Sequence, residues 1–163
     1  MSLHDWLPAL VLLQDHGGDW SAYSEALYKY FCRDFVECPP VFKGRRVGLK
    51  RLPIEQGKEA TFWHLTSQGS VEADRLPDLR RCERIRWPRP MINDSASNGL
   101  RIWKQERKGE VRVAIALNDF TYVVILAERT GRNGIYHLPW TAFCVEEAHQ
   151  RSKLEKEWQR SKV

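Results

Sequence analysis

The sequence predicts an α+β fold in which N-terminal helices pack on an antiparallel sheet of four to six strands, followed by a C-terminal helix. Three observations carry this prediction. Apolar residues recur at helical spacing before Pro40, and they alternate with a period of two after Leu100. Pairs of turn-forming residues separate the alternating segments. Because helices and strands are segregated along the chain, a parallel α/β sheet is disfavoured.

Length and composition predict one folded domain covering residues 1–163, with a helical part at 1–40 and a sheet part at 41–163. Apolar residues make up 42% of the chain, which argues against disorder. The first long apolar run, at 6–13, is too short to span a bilayer and lacks the basic start of a signal peptide. The four cysteines form no C-x-x-C pair, as is typical of reduced thiols. We therefore expect a cytoplasmic protein that does not contact membranes.

Two helices are predicted before Pro40. The first covers residues 2–15 and ends at the glycine pair 17–18. The second follows Asp19 as N-cap. Its aromatic and apolar residues recur at helical spacing and are interpreted as core: Trp20, Tyr23, Leu27, Tyr30 and Phe31.

The middle of the chain is predicted to change from strands to a helix. Short strands are expected at 46–50 and 61–66, and a helix at 76–85 that Pro88 and Pro90 bring to an end. A loop of turn-forming residues follows. The sequence then predicts a four-stranded meander and a charged helix, with strands at 100–107, 111–117, 121–127 and 135–143 and the helix at 146–160.

Positive charge is concentrated in one segment. Residues 75–112 contain eleven basic and five acidic side chains, whereas the net charge of the whole chain is +5. We therefore expect these cations to gather on one side of the fold and to bind a polyanion, with nucleic acid as the first choice. The alternative is an ordinary solvated charged surface.

No common catalytic or metal-binding motif is present. The chain has no P-loop, no G-x-S-x-G and no H-E-x-x-H, so we expect neither a metal nor a cofactor. Its histidine, arginine, lysine and hydroxyl side chains suit acid-base chemistry on a phosphate. Cleavage of RNA by its own 2′-hydroxyl needs a base, an acid and cations that stabilise the phosphorane.

His64 is the first candidate for the base. A strand at 61–66 would place it on one face with Phe62 and Thr66, so that the imidazole lies beside a hydroxyl. The alternative is a partly buried histidine bonded to a backbone carbonyl. If His64 is buried against the core with no opening to solvent, the catalytic interpretation is to be dropped in favour of a binding module.

Cations on the predicted helix and aromatic residues near it form a second candidate group. Arg80 and Arg84 lie four residues apart and can clamp a phosphate, while Arg81 points elsewhere. Trp87 is positioned to stack on an unpaired base. The predicted RNA-binding residues are Arg80, Arg86, Trp87, Arg89, Arg101 and Trp103. On the last strand, alternation places His137 and Thr141 on one face, where they could share a cleft with His64.

Three motifs carry a resemblance to a known superfamily. They are Trp63-His64-Leu65-Thr66-Ser67, Arg75-Leu-Pro-Asp-Leu-Arg-Arg-Cys-Glu-Arg-Ile-Arg-Trp87 and Leu138-Pro-Trp-Thr141-Ala-Phe143. Together with Val145 and the charged helix after it, they resemble phage and prophage proteins of the barnase/EndoU/colicin/RelE nuclease superfamily. The resemblance runs from about residue 46 to about residue 158.

The resemblance implies helices packed on a four-stranded antiparallel sheet and metal-independent RNA cleavage that usually leaves a cyclic phosphate. It also implies a toxin-like role in conflict between phage and host, with an inhibitor or antitoxin protein as a partner. The catalytic candidates carried over by motif are His64, Arg81, Arg84 and Thr141. Lys104 is a looser match. EndoU-type members use two histidines and a lysine, and the second histidine here could only be His137.

Three functions remain open on the sequence. The first is a metal-independent endoribonuclease, the second a non-catalytic RNA- or DNA-binding module, and the third a phage accessory protein whose basic strip meets an acidic partner. Turnover of RNA in EDTA separates the first from the others. Salt dependence of nucleic-acid affinity separates the second from the third, because phosphate contacts release counterions.

Overall fold

The centre of the fold is a four-stranded antiparallel sheet in which strands that are consecutive in the chain lie side by side. A computed structural model describes residues 4–69 and 75–161 of the chain. With helices before the sheet and one after it, the predicted α+β fold is confirmed. The strands are β5 (Arg101–Arg107), β6 (Glu110–Ala116), β7 (Tyr122–Gly131) and β8 (Gly134–Cys144).

The meander forms where the alternating pattern predicted it. The turn between β5 and β6 is made by Lys108 and Gly109, which both have positive φ, as a two-residue type I′ turn requires. β7 and β8 extend further than predicted, because the polar residues on either side of their turn continue the pairing as far as Gly131 and Gly134.

A β-bulge interrupts β8 at Trp140. Ile125 pairs with Thr141 and Leu126 pairs with Pro139, so Trp140 is the extra residue without a partner on β7. The bulge reverses the alternation beyond it. The prediction that His137 and Thr141 lie on one face of the strand is therefore wrong.

The two faces of the sheet pack against different elements. The residues of one face join the helices before the sheet in the larger core: Val113, Ile115, Val124 and Leu126. The alternate residues form a second cluster with Trp103: Ala114, Ala116, Val123 and Ile125. Leu154 and Trp158 cover this second cluster. They belong to α5 (Ala148–Ser161), which confirms the predicted C-terminal helix.

The helix predicted after Asp19 is confirmed as α1 (Trp20–Phe31). The side chain of Asp19 accepts a hydrogen bond from the backbone N–H of Ser21, as an N-cap does. A π-helical segment, Cys32–Glu37, continues α1 towards the proline pair that ends it.

The prediction of a helix at 2–15 is wrong for most of these residues. Only a short 3₁₀ helix, Leu13–His16, is present in the described part, and residues 2 and 3 lie outside that part. The backbone finds other partners: Val11 N–H donates to the Glu83 carbonyl, and the Pro8 carbonyl accepts from Trp87 Nε1. Because these groups are satisfied by tertiary contacts, a helix is not needed to pair them.

The strand predicted at 61–66 is also wrong, since these residues form α2 (Ala60–Thr66). Every residue of α2 except Trp63 is buried, so a two-residue period carries no information about its conformation. At the end of the helix, the Thr66 hydroxyl donates a hydrogen bond to the Phe62 carbonyl, and the Ser67 hydroxyl donates one to the Trp63 carbonyl. His64 therefore lies on a helix and not on a strand.

The remaining short elements lie between α1 and the sheet. In place of a strand at 46–50 there is a two-residue pair, β1 (Val41–Phe42) with β2 (Arg45–Arg46). A second pair joins β3 (Ser67–Gln68) to β4 (Leu76–Pro77).

The predicted helix at 76–85 forms only in its central part, as α3 (Leu79–Glu83). α3 ends at Glu83, before the two prolines, and Pro88 and Pro90 themselves lie in the first turn of a further helix that was not predicted, α4 (Pro88–Asn93). Proline is tolerated there because the first N–H groups of a helix have no intrahelical acceptor. No helix in the described ranges is long and apolar enough to cross a membrane.

Tyr23 gives a direct test of this packing. It is fully buried, and its hydroxyl donates to the Val11 carbonyl at 2.7 Å. We expect Tyr23→Phe to lower the free energy of unfolding by about 1–2 kcal/mol in urea denaturation, because the carbonyl loses its buried partner. Tyr30→Phe is the matched control and should change stability by less than about 0.5 kcal/mol. Equal stability of Tyr23→Phe and the wild type would contradict this assignment.

Candidate active site

Arg81 connects three elements of the fold. The side chain of Asp78 caps α3 by accepting from the backbone N–H groups of Arg80 and Arg81, which fixes the first turn of the helix. From there Arg81 Nη1 donates to the Ser67 carbonyl and to Thr141 Oγ1, each at 2.9 Å. It also lies 3.5 Å from the His64 carbonyl. One guanidinium group therefore links the end of α2, the start of α3 and the middle of β8.

The charge of Arg81 is balanced locally. Its Nε lies 3.3 Å from Asp78 Oδ2, and the Arg81 side chain is 14% exposed. Among the residues that the structure describes, none accepts a hydrogen bond from Arg81 Nη2. An open groove beside Arg81 gives a ligand access to this part of the surface, and its charged lining includes Arg80 and three carboxylates, which are those of Asp78, Glu146 and Glu147.

His64 is held against the bulge of β8. Its Nδ1 lies 3.2 Å from the Trp140 carbonyl oxygen, and its ring meets the Trp140 indole edge-on at 5.2 Å. A carbonyl oxygen can only accept a hydrogen bond, so Nδ1 carries the proton in this contact. In the neutral ring, the lone pair is then on Nε2.

Thr141 completes the group. It immediately follows the residue whose carbonyl contacts His64, and its hydroxyl oxygen accepts from Arg81. A hydroxyl that accepts one hydrogen bond still has its own proton to donate. The structure thus joins the side chains of Arg81 and Thr141, and it places the backbone carbonyl of His64 beside Arg81 and the His64 imidazole against Trp140.

The exposure of His64 differs from the prediction. We expected an imidazole that opens to a cleft, whereas His64 is only 6% exposed. The ring contacts both the carbonyl and the indole of Trp140. Any reagent that reacts at Nε2 must therefore first gain access to it.

Lys104 and His137 belong to a different cluster. Both contact Glu128 Oε1, at 3.6 Å and 3.2 Å respectively. The His137 ring also packs edge-on against Phe42. Because the bulge separates His137 from Thr141, the prediction that these two share a cleft is wrong. Burial lowers the pKa of His137 below its ordinary range, against the opposing effect of Glu128.

Arg84 is the C-cap residue that follows α3, and its side chain does not join Arg81. Its guanidinium stacks over the Trp87 ring at 5.1 Å, and Nη1 donates to the Arg80 carbonyl. A carboxylate oxygen of Glu83 lies 3.6 Å away. Arg84 is therefore held along its own helix rather than in the candidate site.

The predicted RNA-binding residues are spread over both faces of the sheet. On the helical side, Arg86 stacks on Tyr30 and Arg89 donates to the Cys38 carbonyl. On the opposite side, Arg101 stacks on Trp158 of α5. Arg80 forms an ion pair with Glu146, and the indole N–H of Trp87 donates to the Pro8 carbonyl. Trp103 is buried, with 3% of its surface exposed. The prediction that the cations of 75–112 gather on one side is therefore wrong.

Comparisons with protein families, with curated proteins and with solved structures found no match for this chain. The nuclease resemblance thus stays an expectation that rests on the motifs. Within residues 4–69 and 75–161, no group of three or more histidine, cysteine or acidic side chains is arranged to hold a metal ion.

The lowered pKa of His137 predicts a pH dependence of stability. Below about pH 6.5 the unfolded imidazole takes up a proton that the folded one resists, so the free energy of unfolding falls as the pH falls. We expect His137→Gln to lose less stability than the wild type between pH 7 and pH 5. His149→Gln, whose side chain is 74% exposed, should retain the wild-type loss. Equal losses in the wild type and His137→Gln would contradict the assignment.

Proposed function

We propose that this protein is a metal-independent endoribonuclease in which the 2′-hydroxyl of RNA attacks the adjacent phosphate. One observation carries the proposal: the Arg81 guanidinium donates to the Thr141 hydroxyl and lies beside the backbone carbonyl of His64, while the His64 imidazole contacts the carbonyl of the residue that precedes Thr141. These residue types supply a base, a cation and a hydrogen-bond donor for reaction at a phosphate.

Each residue has a role that follows from its contacts. His64 Nε2 takes the proton of the 2′-hydroxyl, and the 2′ oxygen then forms a bond to phosphorus. Arg81 offers Nη2 to the negative charge that develops on the phosphorane, while Nη1 stays bonded to Thr141. The hydroxyl proton of Thr141 is directed to a non-bridging oxygen. When the bond from phosphorus to the 5′ oxygen breaks, water supplies the proton that this oxygen takes up.

A second candidate function, RNA binding without cleavage, is favoured by the burial of His64. An imidazole that is 6% exposed cannot meet a 2′-hydroxyl unless the substrate or a local movement uncovers it. In that alternative, Arg81 and Thr141 contact a phosphate and no bond is broken. The two functions differ in one measurable property, which is turnover.

RNA is the proposed partner, and the cytoplasm is the proposed place of action. A toxin-like role in conflict between phage and host, controlled by an inhibitor or antitoxin protein, belongs to the same proposal. This part rests on the motifs around His64, Arg81 and Thr141 and on the superfamily that they resemble.

Cleavage of a labelled RNA in EDTA tests the proposed function. We expect His64→Ala to reduce the rate by about 100- to 10,000-fold, the usual contribution of a general base, while RNA affinity is retained. Thr141→Val should reduce the rate by about 10- to 100-fold, as loss of a hydrogen bond to a charged group does. His149→Ala is the matched histidine control on the exposed face of α5 and should cleave at the wild-type rate.

The substrate supplies the decisive control. Replacing the single 2′-hydroxyl at the cleaved position by hydrogen removes the nucleophile, so cleavage there should stop while binding continues. Cleavage of the substituted strand at a similar rate would refute the mechanism. Binding of RNA without any turnover would establish the second candidate instead.

A further inference from the structure

The indole of Trp140 is surrounded by three cations that the sequence analysis did not group together. Lys50 Nζ lies 5.5 Å from the ring centroid, and the guanidinium carbons of Arg112 and Arg129 lie at 5.0 Å and 5.7 Å. Each is within the range of a cation–π contact. All three positive charges are therefore held around a single half-buried aromatic ring.

The sheet places two of these cations by register. Arg112 on β6 pairs with Ala127 on β7, and Arg129 follows two residues later on the same face of β7. Lys50 arrives from the segment before α2, where its backbone N–H and carbonyl both bond to Thr61. The cluster therefore combines the sheet with the same helix that carries His64.

Among the residues that the structure describes, the two arginines of this cluster have a single carboxylate partner between them. Arg112 pairs with Glu110, whose side chain is 49% exposed, and its Nε is buried without a hydrogen-bond partner. The guanidinium of Arg129 donates to the Glu128 backbone carbonyl, which carries no net charge. Contact with an indole does not neutralise a cation. The like charges around Trp140 therefore repel one another, and an anion bound between them would relieve that repulsion.

We propose that Lys50, Arg112 and Arg129 bind a backbone phosphate of single-stranded RNA next to the bond that is cleaved. This inference rests on the proposed function and adds a subsite to it. The connection is geometric, because His64 packs on the same indole, at 5.2 Å. Arginine is suited to the task, since its planar fork matches the oxygens of a phosphate. A single strand fits this position because its backbone can follow the surface from one phosphate site to the next.

Binding of an uncleavable 2′-O-methyl oligonucleotide tests the phosphate site independently of catalysis. We expect Arg112→Gln/Arg129→Gln to weaken binding at least about 10-fold, because two charged phosphate contacts are lost. The slope of log affinity against log salt should become shallower by about 0.7, since one phosphate neutralised on a single strand contributes about that much. Arg107→Gln/Lys108→Gln removes the same charge at the exposed turn between β5 and β6 and should leave affinity within about 2-fold.

Oligonucleotides with one neutral methylphosphonate linkage locate the contact. The wild type should lose affinity when a particular linkage is neutral, and Arg112→Gln/Arg129→Gln should be insensitive to that same linkage. Should the double variant fail to fold, Arg129→Gln alone makes the comparison, with an expected loss of at least about 3-fold.

The results separate this inference from the proposed function. If the Arg112 and Arg129 variants bind like the control while the wild type cleaves RNA, the phosphate site is wrong and the nuclease function stands. If the wild type does not cleave but the variants lose affinity as expected, the phosphate site stands and the nuclease function is wrong. If no linkage responds to neutralisation, the cations only stabilise the packing of Trp140 and the inference is overturned.

Discussion

The contacts of Arg81 set the geometry of the candidate site. α2 and α3 have seven and five residues, and helices this short are not stable by themselves in water. Their positions therefore depend on packing and on hydrogen bonds from other elements. Arg81 supplies such bonds by donating to the Ser67 carbonyl at the end of α2 and to Thr141 on β8, while Asp78 balances its charge. Lysine has no planar fork and could not make the same set of contacts.

The bulge in β8 is the second determinant of the site. It adds Trp140 to an otherwise regular strand. Thr141 and His137 therefore lie on opposite faces of β8. The same residue offers its carbonyl to His64 and its indole to three cations. Bulges commonly redirect side chains next to functional sites, and this one joins the proposed reaction centre to the proposed phosphate site.

The sequence was informative where local patterns determine structure. The meander, the cap at Asp19 and the C-terminal helix depend on alternation, turns and caps, and all were predicted. α2 was mispredicted because it is buried on nearly all sides, which removes the periodic signal. No sequence pattern marks the bulge at Trp140. The face of β8 on which Thr141 lies and the cluster of cations around Trp140 could therefore not be predicted. The contact of Arg81 with Thr141 joins residues that are 60 positions apart, and composition and spacing do not reveal such a contact.

The chemistry of the new RNA ends tests the central claim most directly. Mass spectrometry of the fragments made in EDTA identifies the group left at the 3′ end of the upstream piece. Attack by the 2′-hydroxyl predicts a 2′,3′-cyclic phosphate on that piece and a 5′-hydroxyl on the other, with neither end formed by the His64→Ala variant. Fragments ending in a 3′-hydroxyl and a 5′-phosphate would contradict the account, because they require attack by water and not by the RNA itself.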